Sequence, residues 1–388
     1  MRNKGRRSVR VLTAGGEIEL HRPYFWSPQE GGSCPADQAT GLEDGRVSRG
    51  AREILCRLGM VQNFVQAAED AGRIGNIPTS KERLRKLVEG EAKAIARLRN
   101  GDQIKASWSS VQARVSAEGP TRVYGGVDGV MVATVTQQEK GKRRKAHAVR
   151  RQQRSAAGLG NTRPLPAARE GSDDRYKEMK IGLFYDQSKR HRHAFATEGD
   201  HEALGALLKT HADQVAFEKA QQSISLTDGA KWIARQLCLR LLGLKAMLLD
   251  FYHLSEHVHE AAKCCLGETP EARAWASARL REIKECGVTP VLAAIDDLRK
   301  KVRSPSKQRS LQLLRDYIVA RLEMVDYRGA LAKGWDIGSG PTEAMCKNLT
   351  LRLKRPGMKW DRDNAAAMMN LTALYESDQA KTYWAHAA

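Results

Sequence analysis

Three carboxylates in this chain share a local setting that suits chemistry on phosphate. Asp128 and Asp228 each follow an apolar, strand-like run and each precede a glycine, in VDG and TDG. Glu343 falls in the first turn of a helix opened by GSGP. Glycine after each acid keeps bulk away from the space above a strand end, and a carboxylate is favoured at a helix start. Pro341 suits the first helical position, where its missing N–H would have no partner. The acids are far apart in sequence, so only the tertiary fold can gather them, and strand ends in a mixed α/β sheet are where such sites assemble. Converging carboxylates disfavour one another's ionisation unless a cation neutralises them. Hard divalent ions with oxygen ligands, Mg²⁺ or Mn²⁺, meet that need. Two such ions activate a nucleophile and stabilise the leaving oxygen of a phosphodiester. Asp-Gly is also an ordinary turn, so the trio alone leaves a purely structural reading open.

The elements that must position these acids can be read in outline. Residues 1–45 are short extended segments: 9–12 and 18–20 alternate about a Gly-Gly turn as a hairpin. The stretch 24–35 has the outline of a metal knuckle with one cysteine, Cys34, so no zinc is expected. Residues 46–118 form a helix-turn-helix-like region, helical in period from Ser48 to about Leu98. Ile54, Leu55, Leu58 and Val61 form one apolar stripe, and Thr79 with Glu82 makes a capping box. The next helix turns Leu84, Leu87 and Val88 inward and Arg83, Arg85 and Lys86 outward, which matches a DNA-reading helix-turn-helix as well as an ordinary helical hairpin.

Residues 119–259 carry five expected strands: 121–127, a second beyond a pause at Asp128-Gly129, then 179–186, 224–226 and 246–249. Between them, 137–172 is too charged to bury anything and is expected to be a basic loop. Its Lys142, Arg143, Arg144, Lys145, Arg150 and Arg151 are candidates for phosphate contact. Residues 260–332 read as all-helical. Residues 333–388 return to the core and end in helices, with Lys347, Arg352, Lys354, Arg355 and Lys359 as a basic run behind Glu343.

Charge narrows the partner. The 388 residues hold 65 Lys and Arg against 45 Asp and Glu, a net +20. A surplus of that size favours a polyanion and says nothing about fold. No run reaches the roughly 18 apolar residues that span a bilayer, and no apolar segment of signal-peptide length opens the chain. Seven scattered cysteines without a CxxC pair fit a reducing compartment. A nucleic acid in a reducing, intracellular setting is the expected partner.

Four blocks in fixed order then resemble a known group, the DDE transposases of the ISKra4 type of bacterial insertion sequence: GGVDGVMV at 125–132, TDGAKWI at 227–233, LLDFYHLSEHV at 248–258, and IGSGPTEAMCKNLTLRLKRPGMKW at 337–360. The resemblance extends through most of the chain. It implies an α/β fold with an RNase-H-like mixed-sheet core, interrupted by an all-helical insertion, and an N-terminal helical DNA-binding region. It maps the catalytic, metal-holding acids onto Asp128, Asp228 and Glu343, with two Mg²⁺ (or Mn²⁺) ions. Asp250 and His253, in LDFYH, match a supporting Asp-x-x-His pattern, and Asp250 is the rival to Asp228 as second ligand. The implied reaction hydrolyses the phosphodiester at a transposon end and then joins the 3′-OH to target DNA, with terminal inverted repeats bound by a homodimer. The implied setting is double-stranded DNA in the cytoplasm, with the protein associated with the nucleoid. Two departures are a knuckle reduced to one cysteine and less chain before it than relatives carry. Two rival readings are a metal-dependent nuclease without strand transfer and a transposase-derived, sequence-specific DNA-binding protein.

Overall fold

The computed structural model describes residues 1–39, 42, 46–159, 173 and 175–386. The chain opens with β1 (Arg2–Thr13), β2 (Gly16–Ser27) and β3 (Gly31–Ser33), an antiparallel sheet in that order, followed by the short α1 (Pro35–Ala39). The Gly-Gly hairpin is therefore present, with strands about three times longer than the alternation suggests. Gly16, at φ +108°, takes the left-handed turn conformation that favours glycine.

Three helices follow: α2 (Arg49–Val61), α3 (Phe64–Arg73) and α4 (Lys81–Asn100). Ser80, not Thr79, caps α4, its hydroxyl accepting from the Arg83 N–H at 3.2 Å. Ala51, Leu55, Leu84, Val88 and Ile95 from these helices are fully buried in the same core as one face of the central sheet.

The central sheet is built from β4 (Arg122–Ala133), β5 (Tyr176–Asp186), β6 (Arg192–Thr197), β7 (Gln222–Thr227) and β8 (Ala246–Leu249), in the order β6-β5-β4-β7-β8. β5 is antiparallel to β4 and β6, and β7 is parallel to β4 and β8, so the chain is a mixed α/β protein. Two corrections to the sequence reading arise here. β4 is one unbroken strand through Asp128-Gly129, because it pairs with β5 along its whole length, from Val123↔Asp186 to Ala133↔Tyr176. The missing fifth strand is β6.

A third correction concerns the basic segment. Residues 137–156 form α5 (Gln137–Ala156), capped by Thr136 and tied to the body by Lys140 Nζ on Asp361 at 2.7 Å. Its cations are spaced around the whole helix, so it needs no apolar face; the remainder of the expected loop, 160–172, lies outside the described residues.

Helices α6 (His201–Gln214) and α7 (Lys231–Arg240) cover one sheet face. A second apolar core of its own joins α8 (Phe251–Leu266), α9 (Pro270–Glu285), α10 (Val288–Lys301), α11 (Pro305–Val319) and α12 (Tyr327–Ala332). The chain then returns with α13 (Gly340–Thr350), α14 (Arg362–Glu376) and α15 (Ala380–His386), packed on the other sheet face with α4. Buried Arg122 fastens that return: its guanidinium donates to the Gly334 and Lys333 carbonyls at 2.6 and 2.9 Å. No helix among the described residues is long and apolar enough to cross a membrane.

Candidate active site

Strand register sets the acids side by side. β4 and β7 pair Gly126 with Leu226, and β7 and β8 pair Thr227 with Leu249. Carried forward, the same registers bring Asp128 level with Asp228 and Asp228 level with Asp250. Neighbouring strands run about 4.8 Å apart, so Asp228 occupies the middle place and Asp250 the far one. The ladder between β4 and β7 stops at Gly126, and the parting strands leave a cavity of about 290 Å³. Asp128, Asp228, Asp250, Glu256, Glu343 and His253 line it.

Glu343 arrives on α13, and a missing side chain lets that helix in. Gly126 and Asp128, two apart, share one face of β4. A Cβ on Gly126 would collide with the Thr342 hydroxyl and lie 3.0 Å from Thr342 Cβ. One turn further along α13, the Cys346 thiol donates to Asp128 Oδ2 at 3.6 Å. Glu343, beside Thr342, stays exposed at the mouth, where the Ser339 hydroxyl donates to its Oε1 at 2.9 Å. The helix starts at Gly340, one residue before the expected position.

Burial is the main force lifting the Asp128 carboxyl above its ordinary range, and the charges of Asp228 and Glu343 add to it. The Gly129 N–H at 2.6 Å and the Cys346 thiol pull the other way. The thiol is itself pushed up, by burial first and then by Asp128. The repulsion expected of converging acids is thus present at Asp128. Among the described residues, no three His, Cys, Asp or Glu side chains are drawn close enough to form a ready-made metal cluster.

Asp250 is occupied differently. It is 2% exposed, its Oδ1 accepts from the His253 N–H at 2.8 Å as the cap of α8, and its Oδ2 accepts from the Ser339 N–H. One carboxylate therefore ties the end of β8 to the loop that launches α13. His253 Nδ1 lies 3.6 Å from Glu256, and its ring sits edge-on to His257 at 5.4 Å.

The Asp228 turn is braced from the helical array. Gly229 takes φ +83°, and a side chain there would strike Arg321 and Leu249. Asp228 Oδ1 accepts from the Ala230 N–H at 2.8 Å. Tyr317 Oη donates to the Asp228 carbonyl at 3.2 Å, Arg321 Nη2 donates to the Gly229 carbonyl at 2.8 Å, and the guanidinium rests 3.9 Å from the Tyr317 ring centre.

The basic candidates divide. Lys142, Arg144, Lys145 and Arg151 are exposed on α5, with Arg143 and Arg150 half-buried; Arg143 bonds Glu139 at 3.0 Å. Arg83 and Lys86 are exposed on α4, whereas Arg85 is held by Glu82 and Glu89 at 2.7 and 2.6 Å. Lys347, Lys354 and Lys359 are exposed and Arg355 is half-buried. Arg352 is a correction. It is 3% exposed, lies 5.0 and 5.1 Å from the ring centres of Phe64 and Trp360, and donates to the Gly59 carbonyl at 3.3 Å, so it is a packing residue. Sequence reasoning missed the Gly126–Thr342 contact, Cys346 and the Tyr317–Arg321 brace. The Thr342-to-Cys346 spacing of one helical turn was the one available signal.

A protein-family model described as Uncharacterised protein family (UPF0236) matches residues 186–384. No curated protein matches the chain.

Proposed function

The chain belongs to that uncharacterised family, and we propose that it is a DNA transposase of the DDE type, cutting transposon ends and joining the 3′-OH to target duplex. One observation carries the reading: Asp128, Asp228 and Glu343, distant in sequence, line a single cavity. The net charge of +20 and the ordered blocks resembling ISKra4-type transposases support it. On this reading the five-stranded sheet is the RNase-H-like core and α8–α12 the helical insertion. The working partner is double-stranded DNA, engaged by a homodimer at the nucleoid.

The donor set fits hard divalent ions. Among the described residues five carboxylates and one histidine line the cavity, with no lysine or arginine beside them, and hard ions prefer oxygen. Asp128, Asp228 and Glu343 would hold Mg²⁺ or Mn²⁺, which when bound supplies Lewis-acid activation of the attacking oxygen and relief of charge on the leaving one. The register favours Asp228 over Asp250 as neighbour of Asp128. Asp250 acts as a positioning residue by fixing Ser339, whose hydroxyl orients Glu343. The exposed cations of α5 and of the segment after Glu343 hold the phosphate backbone.

The test replaces Asp128→Asn, Asp228→Asn and Glu343→Gln one at a time and follows nicking of supercoiled plasmid in Mg²⁺ and Mn²⁺. Loss of about 10²-fold or more in cutting is expected, on the scale of removing one transition-state-stabilising group, with duplex affinity kept. Equal loss of binding and cutting, or wild-type cutting by all three, overturns the assignment. Mixing duplexes that bracket the coding sequence with a target plasmid separates a transposase, which joins them, from a nuclease, which does not.

A further inference from the structure

The long hairpin at the start of the chain has no part in the site just described, yet it carries a dense cationic patch. Arg2, Lys4, Arg6, Arg7 and Arg10 lie on β1 with no acid between them. Residues 2–8 are exposed, whereas the strand is buried at Val9, Val11 and Leu12. The hairpin is held at its turn: the Leu12 N–H and carbonyl bond to Arg46 and Ser48 at 2.9 and 2.8 Å, and Asn76 donates to the Gly15 carbonyl at 3.4 Å. Its far end, residues 2–8 paired with 21–26, continues as a ribbon that β3 widens to three strands, with β1 as the outer edge; the pairs Arg2↔Trp26 and Arg6↔Pro23 put Arg2 and Arg6 on opposite faces of that edge strand. Between Asn3 and Arg6 the register slips around Gly5, at φ +91°, a bulge that twists the strand and re-aims Lys4.

We propose that the exposed edge strand of this ribbon is a duplex-DNA contact, with Arg2, Lys4 and Arg6 on phosphates of the backbone. The inference rests on the reading of DNA as the partner. β1 is the edge strand of its sheet, so cations on either of its faces can reach a phosphate backbone that runs alongside it. Among the described residues neither Arg2 nor Arg6 has a carboxylate partner, so their charge is available to an anion. Two alternatives fit less well. A single strand would use several stacking aromatics, but Tyr24 is covered by Arg7 at 3.6 Å, which leaves Trp26, 41% exposed, as the ring open to a base here. A second copy pairing along the outer edge of β1 would set like charges together, as edge lysines and arginines do to prevent such pairing.

The test uses the full chain and a triple variant, Arg2→Gln, Lys4→Gln and Arg6→Gln. As a charge-matched control it uses Lys300→Gln, Lys301→Gln and Arg303→Gln, outside the acidic cavity. Binding to a mixed-sequence 30-base-pair duplex is titrated across salt, with a 30-nucleotide single strand and anionic lipid vesicles as further probes. Each phosphate deprived of its cation lowers the salt slope by about 0.9, so the ribbon variant should give a slope shallower by about 2–3 and the control almost no change. Plasmid nicking at low salt should persist in the ribbon variant, which separates failure of this inference from failure of the catalytic reading. Equal slopes for variant and wild type, equal reductions in both triple variants, a greater reduction on single strand or vesicles than on duplex, or no duplex binding by the wild type would each overturn it.

Discussion

Gly126→Ala probes the closure of α13 onto β4 with a single added methyl. Gly126 has no positive φ, so the backbone accepts alanine and only packing resists it. The new Cβ would collide with Thr342 Oγ1 and would stand 3.0 and 3.1 Å from Thr342 Cβ and Cγ2. Overpacking by one methyl costs about 1–3 kcal/mol, or a drop in Tm of roughly 2–12 °C at about 2–4 °C per kcal/mol. The helix relieves the clash by moving outward and takes Glu343 with it. A displacement near 1 Å costs on the order of 10²-fold in rate, while the distant cationic surface keeps its affinity for duplex. Thr342→Ala removes Oγ1 and Cγ2, and because that buried hydroxyl has no hydrogen-bond partner among the described residues the change orphans none of them. The double variant should therefore cut faster than Gly126→Ala alone, with a coupling of about 1 kcal/mol in a double-mutant cycle. Melting curves and plasmid-nicking rates read both quantities. Wild-type stability and rate in Gly126→Ala, or a double variant no better than the single, would refute the closure argument.

Three further outcomes are expected. Asp250→Asn weakens the tie between α8 and Ser339, lowering cutting about 10–100-fold, the usual cost of losing a group that orients a ligand; unchanged cutting would remove Asp250 from the positioning role. Arg352→Met exchanges a buried guanidinium, whose pKa burial lowers to about 10, for an apolar chain. Stability within about 1 kcal/mol and unaltered duplex affinity are expected from such buried-charge replacements, and a tenfold loss of affinity would restore Arg352 to the DNA surface. His193 and His211 are buried with their rings joined at 2.8 Å, and burial above all holds both well below the ordinary histidine pKa. The unfolded chain takes up these protons first, so stability is intact above about pH 6.5 and falls below it by up to about 1.4 kcal/mol per pH unit for each histidine. Urea midpoints should drop more steeply between pH 7 and 5 in the wild type than in a His193→Gln, His211→Gln variant; parallel slopes would contradict this.

Much of the site was legible because it rests on short, local signals. Apolar runs ending in Asp228 and Asp250 mark β7 and β8, and GSGPTE marks the start of α13 to within one residue. What escaped depends on neighbours. Asp128-Gly129 looks like a turn in isolation, yet a full-length antiparallel partner carries the strand straight through. β6 escapes notice because RHAFAT holds His193, whose Nε2 finds its partner in His211 on a different element. The expected number of strands equals that of the central sheet only because one is counted twice and one overlooked. α5 reads as a loop when charge density is allowed to outweigh the good helix propensity of its Lys, Arg, Gln and Ala residues. Arg352 shows the limit of a charge run as evidence: the other cations of the run are exposed or half-buried while its own position in the turn beyond α13 faces Phe64 and Trp360.

The Tyr317 and Arg321 pair gives the helical array a grip on the peptide immediately beyond β7. Both side chains pull on carbonyls of the one turn that aims Asp228, and Arg321 also bonds the Tyr317 carbonyl, which stiffens the grip at its root. A small tilt of α11 is therefore transmitted as a rotation of that turn rather than absorbed by slack loop. On the proposed function, loosening the array should register in turnover before it registers in melting.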